Sequence, residues 1–310
     1  MAVTNFTEEE NQETVRELYC SAEFTERLHS ELIFLAQALT ISFSITAFLG
    51  NFLILIALHK ETLLHSPSKL LYRNLAIADL CVGIITEPLA VTYWTSVVNR
   101  QWHICFYAHK AGPISRYILC SVSLYTVTAI SVDRLLALLL GLRYRQVVTL
   151  NRIRISLIVF WILSLLSSLN FFGIQIMWWL PRVGGSLCLV TSIFSYIKIF
   201  FTLRHNQIRV QNHVSQGQPN QTIPLNRARY RKAVNSVLWV QVALVVCYLP
   251  SIITSAWLIP QGEVPLNFYI ARQFTSTLVF LNSSLNPLIY CWKIREVREA
   301  VKETLRQFFC

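Results

Sequence analysis

Asp79 lies in the run Asn74-Leu-Ala-Ile-Ala-Asp79, midway along a stretch otherwise apolar enough to be buried in lipid. An ionisable group in such a place is costly and marks a functional position by default. Ser123, and further on Asn282, Ser283 and Asn286, fall at similar depth in two other apolar stretches. A carboxylate among neutral oxygens suits a small hard cation such as sodium, or a proton. The same residues also suit a hydrogen-bonded polar core with no ion, and spacing alone leaves these readings open. Asp133 and Arg134 form a second charged point, at the edge of the stretch that holds Ser123. The arginine there either pairs locally or releases and offers its donors to a partner protein, and an interface anchor that snorkels is equally compatible. Asn286-Pro287-Leu-Ile-Tyr290 combines a helix-bending proline with an amide able to satisfy the freed backbone groups. That bend is either a moving part or a fixed kink. Arg116 precedes Arg134 by about five helical turns, and Glu87, beside Pro88, sits at comparable height in the preceding stretch. Either the two neutralise each other or Arg116 receives an anionic ligand group.

These residues need elements that hold them in lipid. Of 310 residues, 54% are hydrophobic and only 14% charged, against roughly 25% charged in soluble domains. Apolar stretches run over about 32–58, 70–94, 102–140, 155–177, 187–203, 233–259 and 268–292. About 20 residues cross a hydrocarbon core, and backbone groups without water must pair inside a helix. The expected fold is therefore an all-α membrane protein, a seven-transmembrane helix bundle. Residues 1–31 form the N-terminal tail, 32–292 the membrane domain and 293–310 the last segment. In that segment Ile294, Val297, Val301, Leu305 and Phe308 share one helical face and Lys293, Arg295, Arg298, Lys302 and Arg306 occupy the rest. A short basic amphipathic eighth helix on an anionic membrane surface is expected there. Pro181 to Ser186, with Gly184 and Gly185, reads as a turn between spans.

The net charge of +11 would suggest nucleic acid on a soluble protein. Here about 20 of the 27 Lys and Arg fall in alternate connectors and the tail, the positive-inside pattern. The first 31 residues carry eight Glu against two Arg and no apolar signal-peptide region. The expected placement is a multi-pass chain in the plasma membrane, N-terminus outside and C-terminus in the cytoplasm, with membrane lipids as partners and no nucleic acid.

Taken in order along the chain, the motifs resemble those of the rhodopsin-like (class A) G-protein-coupled receptor family. Gly50-Asn51 looks like its first-helix pair and Asn74 to Asp79 like its second-helix signature. Asp133-Arg134-Leu135 looks like the Asp-Arg-Tyr motif, Trp161 like the fourth-helix tryptophan and Tyr196 like the fifth-helix tyrosine. Cys247-Tyr248-Leu249-Pro250 looks like Cys-Trp-x-Pro, and Asn286-Pro287-x-x-Tyr290 is intact. The resemblance implies a receptor, not an enzyme, in which an extracellular ligand shifts a two-state bundle that catalyses nucleotide exchange on a heterotrimeric G protein. It implies a sodium ion among Asp79, Ser123, Asn282, Ser283 and Asn286, and no other metal or cofactor. It implies an activation switch of Asp133, Arg134, Tyr196, Tyr248, Pro250, Asn286, Pro287 and Tyr290. It also implies a palmitoylated Cys310 after the eighth helix. The chain departs from the family at Tyr248, at Leu244 and at Cys188, where Trp, Phe and Pro are usual. Only 35 residues separate Trp161 from Tyr196, so the second outer loop is tiny, lacks a cysteine and cannot make the family's usual disulfide. Cys20 on the outer tail is then a partner for Cys105 if the fold brings them together. The tiny loop is similar to that of the melanocortin, cannabinoid and lysophospholipid receptor group. The runs around Ser121–Arg134 and Leu187–Tyr196 resemble orphan receptors of corals and anemones.

Arg116 stands where amine receptors place an Asp, which argues against a standard amine ligand, and the last span has no lysine for retinal before Lys293. Glu87, Arg116, Tyr248 and Arg272 are the pocket candidates. An acidic lipid, a small anion and a peptide all stay open. A transporter or channel is the alternative. It predicts internal repeats and a charged midplane pathway, and the sequence offers neither. Asn5-Phe-Thr7 is a glycosylation acceptor on the outer tail. The inner ends, with Arg134, Arg227, Arg229, Arg231 and Lys232, are the expected G-protein contact region.

Overall fold

The computed structural model describes residues 19–27, 30–60, 65–169, 179–215, 241–255 and 266–293, together with 298, 299, 301–303 and 306 of the tail. Seven long helices follow one another: α1 (Ser30–Lys60), α2 (Ser66–Val98), α3 (Trp102–Leu140), α4 (Leu150–Ser168), α5 (Trp179–Ser215), α6 (Gln241–Ser255) and α7 (Leu266–Lys293). The helices α1 to α5 are long and apolar enough to cross a membrane, and α6 is a shorter apolar helix over its described part. No strand occurs among the described residues. The expected amphipathic eighth helix falls mostly outside them, as do Asn5 and Cys310.

The bundle is built for lipid. Phe34, Ile41, Ile45 and Phe52 of α1, Ile155, Ile158 and Ile162 of α4, and Val190, Phe194 and Phe201 of α5 face outward. Asn51, Asp79, Ser123, Ser131, Asp133, Asn282, Ser283 and Asn286 are buried. Hydrocarbon is as apolar as a leucine, so apolar contact alone gives helices no reason to associate there; close packing and polar contacts do. Helix α3 is the central column. It is the most buried of the five apolar spans and packs against α2, α4 and α5, while α7 packs against α1.

Small residues set the close approaches. A Cβ on Gly50 would lie 2.8 Å from Cγ of Pro287, and one on Gly83 would lie 3.1 Å from backbone atoms of Ser44 and Phe48. Cross-helix polar bonds accompany them. Ser44 donates to the Gly83 carbonyl at 2.7 Å, Ser284 to the Phe43 carbonyl at 2.9 Å, and Asn51 to the Ser283 carbonyl at 3.1 Å.

Two features differ from the sequence expectation. In α2 the turn Val82–Thr86 is a wide π turn. Pro88 has no N–H for the carbonyl four residues back, and widening the helix before it absorbs that loss. The second difference is at Pro181 to Ser186, expected as a turn. Helix α5 already starts at Trp179 and runs through it. Proline is tolerated in a first helical turn. The two glycines serve packing instead of chain reversal: a Cβ on Gly184 would come 2.9 Å from the Tyr125 hydroxyl, and one on Gly185 would come 3.4 Å from Ile252.

The segment before α1 is pinned to the C-terminal end of α2 and the N-terminal end of α3. Cys20 and Cys105 form a disulfide that spans 85 residues of sequence. Around it Tyr93, Trp94, Val97 and Ala108 form a small buried cluster with Ile33. Tyr19 stacks on His109 with ring centroids 4.9 Å apart.

The α1–α7 contact gives a direct test. Gly50→Ala puts a methyl group into a rigid proline ring, so it should cost about 1–3 kcal/mol and lower both melting temperature and surface level. Gly112→Ala meets nothing within 4 Å and should leave both unchanged. Equal melting of the two variants would refute the close approach.

Candidate functional site

Asp79 is fully buried and is held by two other helices. Ser123 of α3 donates to Oδ1 at 2.8 Å, Ser283 of α7 donates to the same oxygen at 2.8 Å, and Asn286 of α7 donates to Oδ2 at 2.6 Å. The three donors arrive because α2, α3 and α7 present polar residues to one another at this depth. Asn282 is also buried, but its amide nitrogen makes no hydrogen bond. The structure thus gathers Ser123, Ser283 and Asn286 around the Asp79 carboxylate, while the amide nitrogen of the fifth proposed ion-site residue does not join them. The donor chemistry fits a hard cation: each serine hydroxyl that donates its proton to Asp79 keeps lone pairs for a metal.

A second polar link lies beside it. Asn74 donates to Thr126 at 2.9 Å and accepts from the Trp161 indole at 3.1 Å, which ties α2, α3 and α4 together.

Toward the end of the bundle that carries the Cys20–Cys105 disulfide, a cavity of about 90 Å³ opens between α3, α5, α6 and α7. Arg116, Arg182 and Arg272 line it, with Tyr117, Tyr248, Ser251, Ser255 and Ser276, above Leu124, Ile252 and Val279. Three of the four pocket candidates are therefore in place. Glu87 is the exception. It is absent from the lining, it is fully buried in α2, and neither carboxylate oxygen has a hydrogen-bond partner. The Glu87–Arg116 pair does not form. The π turn just before Glu87 adds a residue and rotates all that follows by about 100°, so a count by ordinary helical turns misplaces the side chain. Arg116 instead makes a short hydrogen bond from Nη1 to the Ser276 hydroxyl of α7. Arg182, which sequence reasoning missed, donates from Nε to the Ser255 carbonyl of α6 at 2.9 Å. The early start of α5 is the reason, since a turn at Pro181 to Ser186 would have left Arg182 outside the bundle.

Tyr248 joins the cavity to the polar core. Its hydroxyl donates to the Cys120 carbonyl of α3 at 3.2 Å, one turn before Ser123, itself a donor to Asp79.

At the other end, Asp133 is buried and Arg134 is 42% exposed in its side chain, with 3.7 Å between Nη2 and Oδ2. Ser68 donates to Oδ2 of Asp133 at 2.9 Å and Tyr144 to Oδ1 at 2.6 Å. Arg134 lies 5.6 Å over the Tyr72 ring. Tyr196 of α5 lies within electrostatic reach of Arg134. Tyr72, Tyr144 and Ser68 were not singled out from sequence; only their placement near the Asp133-Arg134 end of α3 distinguishes them. Pro287 is buried inside α7, and Pro250, half-buried in α6, accepts at its carbonyl from Thr254 at 3.0 Å. The side chain of Tyr290 and residues 216–240, with the expected basic contact region, lie outside the described residues. No cluster of metal-ligating His, Cys, Asp or Glu occurs among the described residues.

Known proteins share this plan. Residues 50–191 match the family model described as 7 transmembrane receptor (rhodopsin family). The galanin receptor 2a of Danio rerio is 27% identical over 271 residues, covering 82% of this chain and 73% of that protein. The human trace amine-associated receptor 9 is 27% identical over 289 residues, with 84% and 81% covered. The melanocortin receptor 4 of Danio rerio is 23% identical over 290 residues, with 88% and 84% covered. With the helix order and the polar core in the places described, these likenesses support a rhodopsin-like seven-transmembrane, G-protein-coupled receptor.

Proposed function

We propose that this receptor sits in the plasma membrane, takes an extracellular ligand in the cavity between α3, α5, α6 and α7, and signals through its Arg134 end to a heterotrimeric G protein. The observation that carries the reading is Tyr248. It lines the cavity and donates to the Cys120 carbonyl of α3, one turn before Ser123, which donates to Asp79. A ligand that moves Tyr248 therefore acts on α3 one turn from the serine that holds the carboxylate tying α2, α3 and α7, and the energy enters as differential affinity for two arrangements of those helices. An outer N-terminus is supported by the basic inner connectors and by the Cys20–Cys105 disulfide, which belongs in an oxidising compartment. Asn5 is the proposed glycosylation site and Cys310 the proposed palmitoylation site. The relatives are receptors named for galanin, trace amines and melanocortins, so kinship leaves the ligand open. The small second outer loop favours the melanocortin side, and Arg116 in the cavity disfavours an amine. Asp79, Ser123, Ser283 and Asn286 form the proposed sodium site, with Asn282 as a neighbour at the same depth.

Two measurements test this. In cells carrying G-protein dissociation reporters, the receptor should raise basal signal in one or more transducer classes. Arg134→Ala should return it to background at equal surface level. A signal that persists undiminished in Arg134→Ala would remove the assigned role. For the ion, the purified receptor should melt several degrees higher in sodium chloride than in equimolar choline chloride, as binding to the folded state requires. Asp79→Asn should abolish the difference. Equal melting of the wild type in both salts excludes sodium at this cluster.

A further inference from the structure

Resting on the reading of the outer cavity as the ligand site, we propose that its ligand carries an oxyanion group with two or more negative charges, held by Arg116, Arg182 and Arg272. The apolar remainder of that ligand rests on Leu124, Ile252 and Val279. Three helices deliver the guanidinium groups: α3 brings Arg116, α5 brings Arg182 and α7 brings Arg272. Tyr117 is their common neighbour. It is within electrostatic reach of all three. No Asp or Glu is among the described residues lining the cavity, and Glu87, the acid nearest in expectation, is buried in α2 without a hydrogen-bond partner.

Arginine cannot shed its proton to relieve crowding, because its charge persists at any physiological pH. Cations brought together where little water reaches repel more strongly than they do in solution. The arrangement is most stable with an anion at its centre, and a planar fork on each side suits oxygens of phosphate or of paired carboxylates. Ser251 stands on the same wall and offers a neutral hydroxyl to a remaining oxygen. A volume of about 90 Å³ fits such a headgroup, and the apolar residues beneath fit a hydrocarbon portion. The same charges repel an amine.

The test uses the full-length receptor in nanodiscs of neutral lipid, with thermal melting as readout and no G protein present. The probes are pyrophosphate, citrate and lysophosphatidate. Lysophosphatidylcholine and choline serve as controls without net negative charge. One or more of the anionic probes should raise the melting temperature in a saturable way while the controls do not. Arg272→Gln and, separately, Arg182→Gln should raise the half-saturating concentration at least about tenfold, the loss expected for one charge-assisted contact. Arg272→Lys should fall between, since it keeps charge but not the fork. Stabilisation by lysophosphatidate alone identifies a membrane-derived headgroup, and stabilisation by pyrophosphate or citrate identifies a soluble anion. Should one variant fail to fold, the other still decides. The proposal is overturned if no anion shifts melting, if the shift survives both variants, or if choline stabilises as well as the anions. Anion binding without basal coupling in the reporter assay would overturn the signalling reading alone. Arg134-dependent signalling without any anion shift would overturn this proposal alone.

Discussion

Asp79 has no accessible surface at its depth in the bundle, so its oxygens must find partners inside the bundle, and the helices that supply them are fixed in place. An unpaired polar group in hydrocarbon costs several kcal/mol. Three hydrogen bonds from two other helices remove that cost here. The geometry of α2, α3 and α7 follows. Asn286 can reach Oδ2 only if the turn before Pro287 presents its amide inward, and Pro287 is the residue against which Gly50 packs. The position of α1 therefore depends on the same carboxylate through one intermediate helix. Asn51 closes the circuit, bonded to the Ser283 carbonyl in the residue whose hydroxyl serves Asp79.

The charge pair of Asp133 and Arg134 obeys a different balance. Neighbours in a helix point about 100° apart, so Asp133 and Arg134 cannot face each other squarely, and 3.7 Å is the separation they reach. A partly exposed pair of that kind contributes about 0–1 kcal/mol. The stronger partners of Asp133 are the hydroxyls of Ser68 and Tyr144, which keep the carboxylate in the bundle whatever the arginine does. Arg134 has beside it an ion pair of this weak kind and the face of Tyr72, while its neighbour is held by two hydroxyl donors.

The fold was legible because lipid imposes one rule on every span, and apolar length with alternating connector charge expresses that rule directly. The polar core was legible for the same reason: Asp79, Ser123, Ser283 and Asn286 stand out against apolar surroundings wherever the chain is read. The outer cavity was read less well. Glu87 was misplaced because a π turn breaks the 3.6-residue count and leaves no signature beyond Pro88 downstream. Arg182 was missed because Pro181, Gly184 and Gly185 read as a turn. Their actual use, a first-turn proline and two close contacts with Tyr125 and Ile252, depends on which helices lie opposite. Both errors concern quantities that local sequence does not carry, namely rotational phase and the identity of a packing partner.

Those two corrections change what the cavity can do. With Glu87 in the wall and Arg182 outside, Arg116 would be neutralised within the protein, and the site would present hydroxyls and aromatics to a ligand of any charge. In the observed arrangement the wall is closed by bonds between helices. Arg116 reaches Ser276 from α3 to α7, Arg182 reaches the Ser255 carbonyl from α5 to α6, and Tyr248 reaches the Cys120 carbonyl from α6 to α3. Each bond has a lining residue as its donor. A ligand offering better acceptors competes for those donors and loosens a link between two helices as it binds. Binding and rearrangement are then one exchange of hydrogen bonds, and the free energy that favours the second arrangement is the difference between the acceptors gained and those given up.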